Sequence, residues 1–436
     1  MAQFRKDTHE YLKDGTTIFE TVMLADQYGN LVGAANPTGM AVDAFGRARA
    51  SNPFTLFESF HRYQDNGRIT QSNSATGAAS THNANAGLIE CTLDNASGSF
   101  LYRESSRVFT YQPGKSLQIL QTFCMAPPKA NLRQRYGYFG TENGFFLEQD
   151  GTTINFVKRS SVTGSLVETR IPQSQWNLDK LDGTGPSKLT LDLTKAQILF
   201  HDIEWLGVGS VRVGFIIEGK FIHCHSWHHS NIITSTYITT ACLPVRAEIE
   251  NTGATSGSST LKIICAAVIS EGGFEPKGRP RAVSIPVTSP IDIPTAGTFV
   301  PIISIRLKDT RQDAIVFLRS IVFFGVSNNT SYRWKLVSGP TLTGASWQSA
   351  GTDSSVEYDI SATALTGGID NRIEYLNVSS GSGAALNQID PSDIFRYQLE
   401  RNSFLTSNKG IVFTLAATGA ANGNDAVGAI QWEEIT

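Results

Sequence analysis

The chain has 436 residues, more than one hydrophobic core usually serves, so at least two domains are expected. Its 36 basic and 39 acidic side chains leave a formal charge of −3 with the signs interspersed, which excludes the one-signed field that draws a protein to nucleic acid or an anionic membrane. Charged residues make up 17% of the chain, below the roughly 25% of an ordinary soluble domain, and a plentiful supply of Gly, Ser, Thr and Asn suits turn-rich β structure.

The N-terminus, MAQFRKDTHEYLKDG, carries charges where a secretion signal needs an apolar run. No apolar segment reaches the roughly 20 residues of a bilayer span, so the expectation is a protein made in a cytoplasm without membrane insertion. A first strand-like run occupies 17–24, TIFETVML. The stretch 42–66 then gathers Phe45, Phe54, Phe57, Phe60 and Tyr63, with a short helical turn predicted at 54–63. So much aromatic surface in an arm marks those five residues as candidate assembly contacts. Residues 70–87, TQSNSATGAASTHNANAG, are small and polar and read as a long loop, which sets an N-terminal arm at 1–87.

A central domain is expected at 88–280. Its clearest element is GFFLEQDGTTINFVKRS at 144–160, where Asp150-Gly151 suits a two-residue hairpin turn between extended runs. Further runs are KLTLDL at 188–193, the hairpin VRVGFIIEGKFIHCHSW at 211–227, STYITTACL at 235–243 and LKIICAAVI at 261–269. The Pro- and Gly-rich stretch 271–297 reads as a connection to a C-terminal domain at 281–436, in which 299–307 and 314–326 are strand-like and 390–400 is suited to a helical turn. Many short strands between regular turns predict an all-β chain of two sandwiches.

Chemistry-bearing patterns are few. In FIHCHSWHHS, at 221–230, alternation on a strand would turn His223 and His225 to one face, where they could address a metal ion. Cys224 points the other way and no carboxylate stands near in sequence, so the stretch reads as a packed strand that runs into an exposed loop at His228 and His229, with no metal or cofactor. HDIEW at 201–205 places Asp202 and Glu204 on one strand face, the only nominees for acid/base hydrolysis of a polysaccharide. QPGKS at 112–116 has the ending of a phosphate loop, but Phe109 stands where its first glycine belongs; GVGSVR at 207–212 starts like a dinucleotide fingerprint, but Arg212 replaces its last glycine. The five cysteines, odd in number and widely spaced, read as free thiols.

Several long strings resemble a family of structural proteins of tailed bacteriophages. They are VDAFGRARASNPFTLFESFHRYQDN at 42–66, the 144–160 hairpin with its continuation, PQSQWNLDKLDGTGPSKLTLDLTKAQILFHDIEWLGVGSVRVGFIIEGKFIHCHSW at 172–227, TACLPVRAEIENTGATS and CAAVISEGG. Together they cover most of 15–275; ISIRLKDTRQDAIV and TLTGASWQSAGTDSSVEYD match more loosely. The resemblance implies a non-enzymatic virion protein, in head, collar or tail, with a lectin-like jelly roll followed by an immunoglobulin-like sandwich. The aromatic surface of the arm adds the expectation that it docks on another virion protein or swaps around a neighbouring subunit in a homo-oligomer, expected to be a trimer, and that deletion of 1–70 leaves a folded but assembly-incompetent protein. A fibre module that binds host surface glycans is the second reading; a polysaccharide hydrolase is the third.

Overall fold

In the computed structural model, residues 52–436 are described except 75–76, 276, 380–383, 389–396, 409 and 436. Backbone alone is described for Ala384–Gln388 and for four strands nearer the N-terminus, Tyr11–Asp14, Thr17–Glu20, Leu24–Ala25 and Leu31–Val32. These four pair as two antiparallel ribbons within a unit of residues 1–52, and Pro53 to Thr436 is a second compact unit. Phe45 and most of the helical turn expected at 390–400 lie outside the described residues.

The chain is all β, and its first sandwich begins thirty-odd residues before the expected boundary. The eight-stranded sheet takes β1 (Phe54–Phe60), β3 (Ala78–Asn83), β4 (Leu88–Leu93), β6 (Leu117–Cys124), β11 (Gln197–Ile203), β12 (Val211–Ile217), β13 (Lys220–Trp227) and β15 (Ser259–Ser270). The seven-stranded sheet takes β2 (Ile69–Asn73), β5 (Phe100–Ser105), β7 (Leu132–Phe139), β8 (Gly144–Asp150), β9 (Thr153–Ser160), β10 (Val167–Pro172) and β14 (Val245–Asn251). Across the first sheet the order is β13-β12-β11-β6-β15-β4-β3; across the second it is β10-β9-β8-β7-β14-β5-β2. Every pairing is antiparallel, so consecutive strands need only short turns.

Three expectations are corrected here. The small polar stretch at 70–87 is not a loop: it forms β2 and β3, which sit at the sheet edges, where one poorly covered face tolerates a polar sequence. The helical turn expected at 54–63 is β1, which pairs with β15 end to end with β4. Phe57 is buried in the core, with its ring centroid 4.9 Å from that of Phe109, so it cannot serve as an assembly contact; Phe60 and Tyr63 remain exposed and Phe54 is partly so. Removing 1–70 would therefore strip β1 and the start of β2 from the sandwich. The runs 188–193 and 235–243 are irregular; the second buries Tyr237, Ile238, Ala241 and Leu243 in the core without joining a sheet.

Alternation drives the two layers together. In β6 the pattern LQILQTFC buries every second residue, and Leu117, Ile119 and Phe123 meet Tyr136, Phe145, Leu147 and Phe156 from the facing sheet. The outer side of the seven-stranded sheet carries an unusual second layer: Phe139 and Phe146 stack with centroids 4.4 Å apart beneath the guanidinium groups of Arg135, Arg159 and Arg246. Those three cations, together with Arg170, pair with Glu148, Glu168, Glu248 and Glu104, so most of the charge in this layer is matched.

The second sandwich pairs a five-stranded sheet with a six-stranded one around Trp334, Trp432, Phe323 and Leu415, with more strands than an immunoglobulin domain carries. Its first strands, Arg279–Ser284 and Ile291–Ile293, come from the Pro- and Gly-rich stretch that reads as a connection. The two sandwiches meet over Val108, Ile315 and Phe317. Arg107 pairs with Glu400 at 2.6 Å, Gln398 donates to the Val108 carbonyl at 3.0 Å, and Phe404 lies under the Arg246 guanidinium at 4.0 Å.

Candidate functional site

The two nominated carboxylates lie in a cleft. Asp202 projects from the outer face of β11, and Glu204 follows where that strand ends. Around them is an open polar depression of about 670 Å³, bordered by Tyr111, Lys115, Ser116, Ser210, Arg212 and His228. Both dismissed motifs border it: Gly114-Lys115-Ser116 leads into β6, and Gly207 to Arg212 leads into β12. Neither holds a phosphate-loop geometry. They are strand ends brought side by side by the β12-β11-β6 order.

Hydrogen bonds fix this end of the sheet. The Glu204 amide donates to Ser210 O at 3.0 Å, and the Ser210 amide returns a bond to the Glu204 carboxylate at 3.2 Å, which closes the loop between them. Gly207 sits at φ +78°, and an added Cβ would meet Thr236 Cγ2 at 2.9 Å, so this tight turn requires glycine. Tyr111 Oη accepts the amides of Trp205 and Leu206 at 3.3 and 3.2 Å, and Tyr237 Oη donates to Glu204 O at 2.9 Å. His228 stands between two hydroxyls, with Nδ1 3.0 Å from Ser210 Oγ and Nε2 3.0 Å from Ser226 Oγ.

The electrostatics are those of paired groups. Burial raises the pKa of Asp202, while Arg212, which forms an ion pair with it, opposes the rise; Glu271 and Glu204 add to it. Ser116 donates to Glu271, and Lys115 Nζ donates to Gln112 Oε1 at 2.8 Å. The cleft thus offers fixed acceptors and donors, several half-exposed, in a shallow and wet setting.

The histidine stretch is split by a β-bulge. In β13, His225 stands opposite Val213 and His223 opposite Gly214, which leaves Cys224 as the extra residue. His225 consequently turns inward against Trp227, with ring centroids 4.6 Å apart, while His223 turns outward against Phe200 at 5.0 Å. The common face expected for His223 and His225 does not exist. Among the described residues no cluster of His, Cys, Asp and Glu could hold a metal ion. His229, expected in an exposed loop, is buried: it stacks on Tyr237 at 4.0 Å, and Nδ1 lies 2.7 Å from Gly209 O.

No family model matches this chain, and no curated protein is similar to it in sequence. Distant likenesses to solved structures cover about half of it. A Shewanella oneidensis protein of unknown function is 10% identical, covering 56% of this chain and 98% of its own, with a TM-score of 0.34. The carbohydrate recognition domain of Emp47p is 10% identical, covering 51% and 99%, with a TM-score of 0.32. The CBM2 module of an evolved Dit protein of Lactobacillus casei BL23 phage J-1 is 6% identical, covering 52% and 100%, with a TM-score of 0.33. The architecture itself, two facing sheets followed by further β-sheets, is read from the strand order of this chain.

Proposed function

We propose that this chain is a non-enzymatic exterior component of a tailed-phage virion and that its first sandwich grips a host-surface saccharide in the cleft around Asp202 and Arg212. The resemblance of several long strings to phage structural proteins supports the virion placement. In that setting the protein assembles as a homo-oligomer, a trimer by expectation, and contacts other virion proteins through its N-terminal residues.

The observation that carries the saccharide reading is the state of the two carboxylates. A glycosidase needs one carboxyl group to deliver a proton and a second to act as base or nucleophile. Burial raises the Asp202 pKa, as a general acid needs, but its carboxylate is engaged by Arg212, and Glu204 by the Ser210 amide. Paired, pre-oriented acceptors and donors are poor proton shuttles and good partners for vicinal hydroxyls, whose two oxygens each donate and accept. The ring of His228, held between two serine hydroxyls, extends the same array.

Binding of the full-length protein to purified host-surface polysaccharide tests the reading. Saturable binding, lost in Arg212→Ala and weakened in Asp202→Asn, with no reducing ends released over a day, is the expected result. Absence of binding removes the saccharide role, and release of sugar abolished by Asp202→Asn makes the chain a hydrolase. Immunogold labelling of intact virions tests the placement; particles without label would overturn it.

A further inference from the structure

A second cleft, on the far sandwich, has a different construction. Residues 339–347 face 402–408 and 410–412 across a depression of about 480 Å³ at the end of strand Val300–Leu307. Its floor is the half-buried indole of Trp347, with the guanidinium of Arg306 4.1 Å from the ring centroid. Arg306 is in turn ion-paired with Glu357, its cross-strand partner. The rim carries Thr341, Asn402, Thr406 and Asn408.

The walls of this cleft are braced. An antiparallel bridge between Arg401 and Gly410 closes the neck of the segment that carries Asn402 to Asn408; a Cβ on Gly410 would meet Leu307 O at 2.5 Å, so the neck closes only around glycine. Behind the loop, Phe404 stacks on Tyr102 of the first sandwich, with centroids 5.9 Å apart. The opposite wall is tied to the same segment by the Gly339 amide, which donates to Val412 O at 2.7 Å. A platform fixed from below and from behind costs little ordering when a ligand arrives.

We infer that this cleft is a second, independent saccharide site, selective for neutral sugars. The half-buried indole that lines the cleft offers apolar surface for the C–H face of a pyranose, and the amides and hydroxyls of the rim suit its hydroxyl groups. Among the described residues the cation at the platform is Arg306, and Glu357 pairs with it, which offsets the field that would favour a phosphate or carboxylate at the contact. The site shares no residue with the cleft around Asp202, and the inference stands or falls without it.

Titration of the full-length protein with maltohexaose, cellohexaose and chitohexaose, followed by tryptophan fluorescence and calorimetry, tests the inference against a hexagalacturonate control. At least one neutral hexasaccharide binds, Trp347→Ala weakens it by about tenfold or more, Trp347→Phe retains most of the affinity, and Arg212→Ala leaves it unchanged. If Trp347→Ala fails to fold, Asn402→Ala with Asn408→Ala replaces it, with the same tenfold expectation. The inference is overturned if none of the three sugars binds, if only hexagalacturonate binds, or if the loss follows Arg212→Ala instead.

Discussion

Acid should weaken the first sandwich through His201, by an amount that follows from its surroundings. The side chain projects from β11 into the core between the sheets, fully buried, with Ile119 and Val213 as its cross-strand neighbours. Neither ring nitrogen has a hydrogen-bond partner, and burial alone depresses the pKa from 6.5 to about 3. The unfolded chain therefore takes up this proton first; stability present above pH 6.5 is lost as the pH falls toward 3. With about 1.36 kcal/mol per pKa unit, the loss is about 2 kcal/mol at pH 5 and about 5 kcal/mol when titration is complete. Urea unfolding at pH 7, 6 and 5 of the wild-type chain and of His201→Leu measures it. Burial also lowers the pKa values of His61, His223, His225 and His229, but these act in both proteins and cancel in the difference. The gap between the two proteins should change by about 2 kcal/mol from pH 7 to pH 5 in favour of the leucine variant; parallel pH profiles would refute the reasoning.

Two further outcomes probe how the first sandwich is held. Phe57→Ala, which empties a core position beside Phe109, should cost about 3–5 kcal/mol in urea unfolding, whereas Tyr63→Ala, at an 85% exposed position, should stay within about 0.5 kcal/mol. Equal effects would detach β1 from the sandwich. Arg135→Ala leaves Glu148, which is fully buried, without one of its two cations and removes one of the two guanidinium groups over Phe146, so a loss of about 3–5 kcal/mol is expected in the same assay. A loss below about 1 kcal/mol would mean that water already reaches the layer.

The hairpins were the most legible part of the fold because their turns are chemical signals. Asp150 ends its strand and pairs with Thr153, so the first turn is Gly151-Thr152, with Gly151 at φ +57°, one residue on from the Asp150-Gly151 turn expected; the second hairpin turns at Glu218 and Gly219, both with positive φ. The two largest misreadings share one physical cause. Phe54, Phe57 and Phe60 recur every three residues and mimic a helix, because a bulge in the β1–β15 pairing adds Leu56 to the strand and breaks the alternation. The same kind of insertion at Cys224 separates His223 from His225. A period of two cannot register an extra residue whose position depends on the partner strand. The polar edge strands β2 and β3 escaped notice because half their surface faces water, and composition then resembles that of a loop. In the cleft, Asp202 and Glu204 stood out as neighbours in sequence. Tyr111 did not, and Lys115 and Ser116 drew notice only as the ending of a phosphate loop, since sheet order alone brings these three within reach of β11 and β12.

The junction between the sandwiches has a mechanical meaning. The chain passes from one to the other near residue 279, and the segment at 398–404 reaches back, with Arg401 donating its amide to Ser106 O at 2.8 Å. Two separated attachments remove the swivel that a single linker would leave. A pull on one sandwich is then shared between a covalent connection and a buried clasp of Arg107, Glu400 and Phe404, loaded in different directions. Such a pair behaves as a stiff strut, and whatever grips its far end feels the movement of the near end without slack.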